Sequence, residues 1–137
     1  MLIDSVDIEP HEQRLGNVTF VIPQVPKDFE DAYGNIHRGA LMTYLDISTT
    51  CALFGFDKEG RRQISRHIDV VFTDGLKVEK NSPLMIEASV LKWDDKIAYM
   101  QGKLYVKPEG AKVEKVIAFG NHVKTFDDKE HVFDVKK

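Results

Sequence analysis

The sequence predicts an α+β fold in which one long central helix is wrapped by a mostly antiparallel β-sheet. Apolar residues recur at helical spacing between about residues 38 and 54. After Gly60 the hydrophobic period changes to two and stays so through four segments rich in β-branched and aromatic residues. A single helix followed by long strands must bury its apolar face against the sheet that those strands form.

The chain before the helix contains one strand and a turn-rich connection. Residues 1–16 are polar and weakly patterned, so we expect an N-terminal arm. Val18–Ile22 is rich in β-forming residues and is closed by Pro23, which predicts a short strand. The acidic stretch 27–35 is turn-like, and Gly34 interrupts it.

The helix is expected to run from Arg38 to about Phe54, and Gly55 and Gly60 suit its exit. Helical spacing divides its side chains between two faces. One face holds Leu41, Tyr44, Leu45, Ser48 and Ala52. The other holds Gly39, Met42, Thr43, Asp46, Thr49 and Thr50. Asp46 is notable because a carboxylate within an apolar pattern needs a partner if it is buried.

Four strands are expected after the helix: Ile64–Thr73, Leu84–Trp93, Ile97–Val106 and Lys115–Phe126. Asp94 and Asp95 join the second and third of these in a tight hairpin. The sequence shows no repeat and no linker, so we predict a single domain over residues 1–137. Its core would span about residues 17–126, between the polar N-terminal arm and a C-terminal tail.

Composition restricts the function classes. The 137 residues suit one domain, and 42% apolar with 30% charged residues is typical of a globular protein. A net charge of −3 argues against a nucleic-acid-binding protein. No apolar run reaches the roughly 20 residues of a membrane span. Cys51 is the only cysteine, expected to pack inertly in the helix, so we predict a cytoplasmic location without disulfides.

Four features form a recognisable pattern: Gly34, His37-Arg38-Gly39 at the start of the helix, Asp46 nine residues after the histidine, and Ser65 near the start of the next strand. The pattern resembles the hotdog-fold acyl-CoA thioesterases of the phenylacetic-acid-pathway and thioesterase-superfamily type. Val70-Val71-Phe72 continues the strand as in that family. The resemblance covers about residues 18–126 and implies the hotdog fold.

The chain departs from the family pattern at two positions. The family has an asparagine six residues before the histidine, where this chain has Asp31. A carboxylate cannot donate a hydrogen bond to a thioester carbonyl unless it is protonated. The first glycine of the family's His-Gly-Gly is Arg38 here, which keeps the backbone N–H and adds a large side chain.

The resemblance implies hydrolysis of a small or fatty acyl-CoA, with coenzyme A as part of the substrate and no separate cofactor. Asp46 would be the general base or nucleophile, and Ser65 would orient the attacking water. His37 would shape the helix start rather than act as the base. The first-turn N–H groups of Arg38 and Gly39 lack intrahelical acceptors and lie at the positive end of the helix dipole, which suits a polarised carbonyl.

The spacing along the helix predicts a second subunit. Arg38 and Asp46 are eight residues apart, or about 12 Å at about 1.5 Å per residue. A carbonyl held at Arg38 therefore cannot be attacked at Asp46 of the same helix. We expect a homodimer with antiparallel helices and two composite sites, as in the family, paired again into a homotetramer.

Basic residues after the helix could bind the phosphates of coenzyme A, with arginine preferred for bidentate contact. These are Arg61, Arg62, Arg66, Lys77 and Lys80, and a solvated basic face is the alternative. No metal site is predicted, because the spacing of His11, His67, His122 and His131 does not match metal-ligand motifs.

Other interpretations remain open. Asp46 could be a structural acid that bonds to Thr43 or Thr50. Asp31 and Arg38 favour a second function, a non-catalytic hotdog module that binds acyl-CoA or another lipid-like ligand. A hydratase or dehydratase is less favoured, because the His-Phe-Pro-type motif of that subfamily is missing from the sequence.

Overall fold

The structure is a computed structural model that describes residues 6–11, 14–57, 60–73, 83–107 and 113–131. One long helix packs on one sheet, which confirms the predicted α+β class. The strands are β1 (Val6–His11), β2 (Arg14–Ile22), β3 (Arg61–Phe72), β4 (Leu84–Trp93), β5 (Ile97–Val106) and β6 (Lys115–His131). A short 3-10 helix (Lys27–Phe29) and helix α1 (Arg38–Phe56) lie between β2 and β3.

The six strands form one antiparallel sheet in the order β1-β2-β4-β5-β6-β3. Consecutive strands β4, β5 and β6 are neighbours, whereas β3 crosses over to pair with β6. The long strand that follows the helix therefore lies at one edge of the sheet. Its outer backbone groups have no neighbour within the described sheet, and such an edge can pair with a strand of another chain.

The segment expected as a polar arm is structured as β1 and the first part of β2. Val6 pairs with Phe20, and Glu9 pairs with Asn17. An edge strand gains stability from backbone pairing, so it needs little of the apolar alternation on which the prediction relied. At the other end, β6 extends to His131, five residues past the predicted end of the strand.

Helix α1 buries one face against the inner face of the sheet. Leu41, Leu45 and Leu53 are fully buried, and full burial of such a side chain stabilises by about 1.5–3 kcal/mol. The helix approaches β5 so closely that a Cβ on Gly102 would lie 2.9 Å from Cγ of Leu45. No helix within the described segments has the length and hydropathy needed to cross a membrane.

Two helix residues differ from their predicted environments. Thr49 was predicted on the outer face of the helix but is fully buried. Its hydroxyl contacts both the helix and strand β6. It donates to the carbonyl of Leu45 at 2.7 Å and lies 2.8 Å from Nδ1 of His122. Cys51, expected to pack inertly, is exposed because it faces away from the sheet in this single chain.

Candidate functional site

The start of α1 is capped by His37. Its Nδ1 accepts a hydrogen bond from the N–H of Gly39 at 3.0 Å, and its carbonyl accepts from Leu41 at 3.2 Å. A Cβ on Gly39 would lie only 3.0 Å from that Nδ1, so the glycine permits the cap. The cap involves the two first-turn amides that were predicted to lack intrahelical acceptors and to suit a carbonyl. The Gly39 N–H is satisfied by the imidazole, and the Arg38 N–H has no acceptor within the described segments.

Asp31 organises the loop before the helix. Its Oδ1 accepts hydrogen bonds from the backbone N–H groups of Tyr33 at 2.8 Å and Asn35 at 3.0 Å. Gly34 completes this turn with a φ of 79°, a conformation that favours glycine. The carboxylate oxygen that accepts these amides is held as a local acceptor, and it offers no proton to a carbonyl.

The side chain of Arg38 lies over β3 instead of turning back over the helix start. Its guanidinium carbon is 5.4 Å from the ring centroid of Phe72, a cation–π distance. Both substitutions of the family pattern are thus held by local contacts, Asp31 by its own loop and Arg38 by an aromatic ring.

Asp46 lies at an exposed flank of the helix. Its side chain is 55% exposed, so the carboxylate needs no buried partner in the single chain. The hydroxyl of Thr43 donates to the carbonyl of Gly39 at 2.8 Å, and therefore does not cap Asp46. The nearest charged partner is His122 of β6, whose Nε2 lies 3.8 Å from Oδ1 of Asp46.

His122 joins the helix to the edge strand. The ring is fully buried, with Nδ1 2.8 Å from Oγ1 of Thr49 and Nε2 2.8 Å from Oγ of Ser65. The hydroxyl proton of Thr49 is used on the Leu45 carbonyl, so Nδ1 must donate to Thr49. In the neutral ring Nε2 then accepts from Ser65, which leaves the lone pairs of the serine oxygen available to a further donor.

Two buried bases lie beside Asp46. Burial lowers the pKa of His122, Lys124 lowers it further, and Asp46 partly opposes both. Lys124 is 5% exposed, and burial lowers its pKa while Asp46 and Cys51 raise it. The site therefore combines a carboxylate, a neutral imidazole and an ammonium group on one flank of the helix.

The lowered pKa of His122 predicts a pH dependence of stability. The unfolded chain binds a proton at His122 at a higher pH than the folded chain does, so acid favours unfolding. We expect the free energy of unfolding to fall as pH drops from about 7.5 through the ordinary histidine pKa of about 6.5. Urea unfolding of the wild type and His122→Asn at several pH values measures this. The wild type should lose more stability than the variant, and equal losses would contradict the assignment.

The basic residues predicted to bind coenzyme A fall into three groups. Arg61 is 5% exposed and bonds to Asp57, with its Nε 3.3 Å from Oδ1, so the structure gives it a structural role. Arg62 has a half-exposed side chain on β3. Arg66 is exposed, and its Nε donates to Oγ1 of Thr125 at 2.8 Å. Lys77 and Lys80 lie outside the described residues.

His122 and Lys124 were not predicted as site residues. His122 lacks metal-ligand spacing in the sequence, and Lys124 belongs to no motif. The available signal was the strand alternation of β6, in which Ala118, Gly120, His122 and Lys124 point towards the helix. Two ionisable residues at inward-facing positions of a strand are unusual and indicate a site.

Two cavities flank the helix and the sheet. One of about 200 Å³ lies beside the first half of the helix and is lined by Phe29, Ala40, Thr43, Tyr44 and Ile47. A larger one of about 340 Å³ lies on the opposite face of the sheet, where it includes Gln101 and Lys103. That cavity contains none of the predicted site residues, so its size does not make it the reaction site.

Solved structures with the same fold are thioesterase-superfamily proteins. Thioesterase superfamily member 2 of zebra fish is 23% identical, with 89% of this chain and 81% of that chain covered and a TM-score of 0.69. The mouse member 2 is 22% identical, covers 88% and 80%, and has a TM-score of 0.66. A thioesterase protein of Streptococcus pneumoniae, solved with coenzyme A, is 15% identical, covers 90% and 86%, and has a TM-score of 0.68.

Neither a protein-family model nor a curated protein matches the sequence. The fold is nevertheless shared over nearly the whole chain with those three structures, as the sequence resemblance implied. The chain therefore has the hotdog fold, which those three structures share.

Proposed function

We propose that the chain is a cytoplasmic acyl-CoA thioesterase in which Asp46 activates the attacking water. The proposal rests on one observation. Ser65 Oγ and Asp46 Oδ1 both approach Nε2 of His122, at 2.8 Å and 3.8 Å. The buried imidazole orients the Ser65 hydroxyl, and the Asp46 carboxylate lies near it at the helix flank. Such an arrangement suits general-base hydrolysis.

The assigned protons define a role for each group. Ser65 donates its proton to His122, so its oxygen can accept one hydrogen of a water while Asp46 accepts the other. The water then presents a lone pair to the thioester carbon. Asp46 takes a proton from the water as the oxygen–carbon bond forms. The departing thiolate takes that proton from Asp46 when the carbon–sulfur bond breaks.

Coenzyme A recognition is supported at two levels. The Streptococcus pneumoniae thioesterase structure contains coenzyme A, and it shares this fold. On this chain, Arg62 and Arg66 lie on β3, the strand that also carries Ser65, and their side chains reach solvent. We propose that they meet the phosphates, with Lys80 as a further contact. Arg61 is left out of this set because its guanidinium is already bonded in the interior.

The cavity of about 200 Å³ beside the helix start is the proposed acyl subsite. Its wall is mainly apolar, and Thr43 links it to Gly39 through the hydrogen bond to the Gly39 carbonyl. An engineered cavity of about 150 Å³ binds benzene, so this volume suits a compact acyl group. A longer fatty acyl group would need additional space at a subunit interface.

A panel assay tests the proposed function. Purified protein is mixed with short, medium, long and aromatic acyl-CoAs, and released coenzyme A is followed with a thiol reagent. We expect turnover of at least one compact acyl-CoA above the rate of a heat-denatured control. Failure to release coenzyme A from any member of the panel would rule out the proposal.

We also propose that the working unit is a homodimer, paired again into a tetramer. Three apolar side chains on α1, Met42, Ile47 and Phe54, are about 40% exposed in one chain, at 39%, 39% and 41%. β3 offers a further pairing edge. A second copy would cover both features and bring the Arg38 end of its helix to Asp46. Sedimentation should show a dimer or tetramer at assay concentration, and a monomer that remains active would contradict the composite site.

The second candidate function is a non-catalytic module that binds acyl-CoA. Two observations favour it: Asp31 Oδ1 is used as an acceptor by its own loop, and the Gly39 N–H is covered by His37. The usual donors for a thioester carbonyl are thereby reduced. Binding of acyl-CoA by calorimetry without turnover in the panel assay would support this function over hydrolysis.

A further inference from the structure

Lys124 is a buried cation for which the proposed mechanism has no use. It lies on the inner face of β6, two residues after His122, and its neighbours across the sheet are Ser65 of β3 and Ala98 of β5. The residue is only 5% exposed. Its ammonium makes no hydrogen bond and no ion pair with any described residue. A side chain that is buried along its length and ends in an ammonium indicates a role that needs its charge.

The nearest opposite charge is Asp46, but the two groups are not in contact. Asp46 raises the pKa of Lys124, yet no ion pair within 4.0 Å joins the two groups. His122 lies two residues before Lys124 on the same face of β6, and its Nε2 is 3.8 Å from Oδ1 of Asp46. A ligand oxygen that contacts both Asp46 and Lys124 would lie on the face of the sheet that also carries Ser65, the cross-strand neighbour of Lys124.

Hydrolysis requires a donor at that position. When a water held by Asp46 attacks a thioester, the carbonyl oxygen lies a few ångströms from the carboxylate and becomes negatively charged. At the helix start, Asp31 Oδ1 is committed as an acceptor and the Gly39 N–H is covered by His37. The Arg38 N–H alone would be a weak oxyanion site.

We propose that the ammonium of Lys124 is a catalytic donor that binds the thioester oxygen as negative charge develops on it. The inference rests on the proposed hydrolysis. As the water oxygen bonds to the carbonyl carbon, the carbonyl electron pair moves to its oxygen, and an N–H of Lys124 donates to that oxygen. The pair returns when the carbon–sulfur bond breaks, and the thiolate takes the proton held by Asp46. Lys124 keeps all its protons throughout.

The test compares Lys124→Met, Lys124→Arg and a control, Lys96→Met, at an exposed hairpin position. Loss of one oxyanion donor typically lowers kcat by about 10²- to 10³-fold. We expect that loss in Lys124→Met with KM changed less than about threefold. Lys124→Arg should retain more activity because it keeps a charged donor, and Lys96→Met should equal the wild type. Thermal melting establishes that each variant is folded, and Lys124→Gln replaces Lys124→Met if the latter is unfolded.

Two further readouts separate a donor role from a structural one. Wild-type kcat should fall at alkaline pH as Lys124 loses its proton, because its pKa lies below the usual value, and Lys124→Arg should lack this fall. An S-alkyl coenzyme A thioether has no carbonyl, so it should bind wild type and Lys124→Met equally in calorimetry. Weaker thioether binding by the variant would indicate a structural role and overturn the proposal.

The outcomes distinguish this inference from the function on which it rests. A wild type without turnover of any acyl-CoA overturns both. An active wild type with Lys124→Met within about threefold of its kcat overturns only the donor role of Lys124. A variant that changes only the acidic limb of the pH profile, with its plateau rate intact, also overturns the donor role, since Lys124 would then act through Asp46.

Discussion

Asp46→Asn is expected to lower kcat for acyl-CoA hydrolysis by about 10³-fold, within the range of about 10²–10⁴ for general-base catalysis. The amide has the shape of the carboxylate but cannot take a proton from water. Because the Asp46 side chain is 55% exposed and makes no close hydrogen bond within the described segments, the change should leave stability within about 0.5 kcal/mol. Coenzyme A release measures the first effect, and urea unfolding measures the second.

The matched control is Asp28→Asn, at an exposed carboxylate in the short 3-10 helix. It should keep the wild-type kcat and stability. Retention of more than about a tenth of wild-type kcat by Asp46→Asn would remove Asp46 from the role of base, given the range for that role. Unfolding of the variant would instead point to the structural interpretation of the acid.

Ser65→Ala tells the two possible nucleophiles apart. If Ser65 orients a water, its loss removes one hydrogen bond, about 1.4 kcal/mol or about tenfold in rate. If Ser65 attacked the thioester itself, with His122 as its base at 2.8 Å, the alanine variant would be at least as impaired as Asp46→Asn. The smaller loss is expected, because the proposed mechanism assigns proton removal to Asp46, whose Oδ1 lies 3.8 Å from the same imidazole nitrogen.

Local signals were enough to predict the elements of this fold. Alternation and breaking residues placed β4 and β5 with the bounds that the structure has, and glycines placed the end of α1 within two residues of Phe56. Residues 1–16 were expected as an arm, and the described part of that segment contains strand β1, which pairs with β2. Side chains at a paired edge are free to be polar, so composition alone could not reveal this strand.

The site was only partly predictable, since it depends on contacts between elements distant in sequence. Asp46 and Ser65 follow from a spaced motif. His122 became a site residue only when β6 paired with β3 and placed its ring between Ser65 and Thr49. The helical face of Thr49 was misassigned for the same reason, because its environment is set by a histidine 73 positions further along the chain.

Arg61→Met should lower the free energy of unfolding by about 3–5 kcal/mol, the typical cost of removing one member of a buried ion pair. The Asp57 side chain is fully buried and would lose its charged partner. The guanidinium also donates to the carbonyls of Asp95 at 2.9 Å and Asp94 at 3.4 Å, and its carbon lies 3.7 Å from the ring centroid of Phe126. These contacts tie the end of α1 to the β4–β5 hairpin.

Arg62→Met is the matched control, because the neighbouring arginine is 53% exposed and 4.0 Å from the Asp127 carboxylate. Surface pairs of this kind contribute about 0–1 kcal/mol, so its urea midpoint should barely move. Adding Asp57→Asn to Arg61→Met should recover part of the lost stability, since the uncompensated charge is then gone. If Arg61→Met instead raised KM for acyl-CoA at unchanged stability, Arg61 would be a phosphate ligand, as its position in the sequence first suggested. The burial of Arg61 predicts a different outcome. Arg61 variants should unfold more easily, whereas Arg62 and Arg66 variants should bind coenzyme A less tightly.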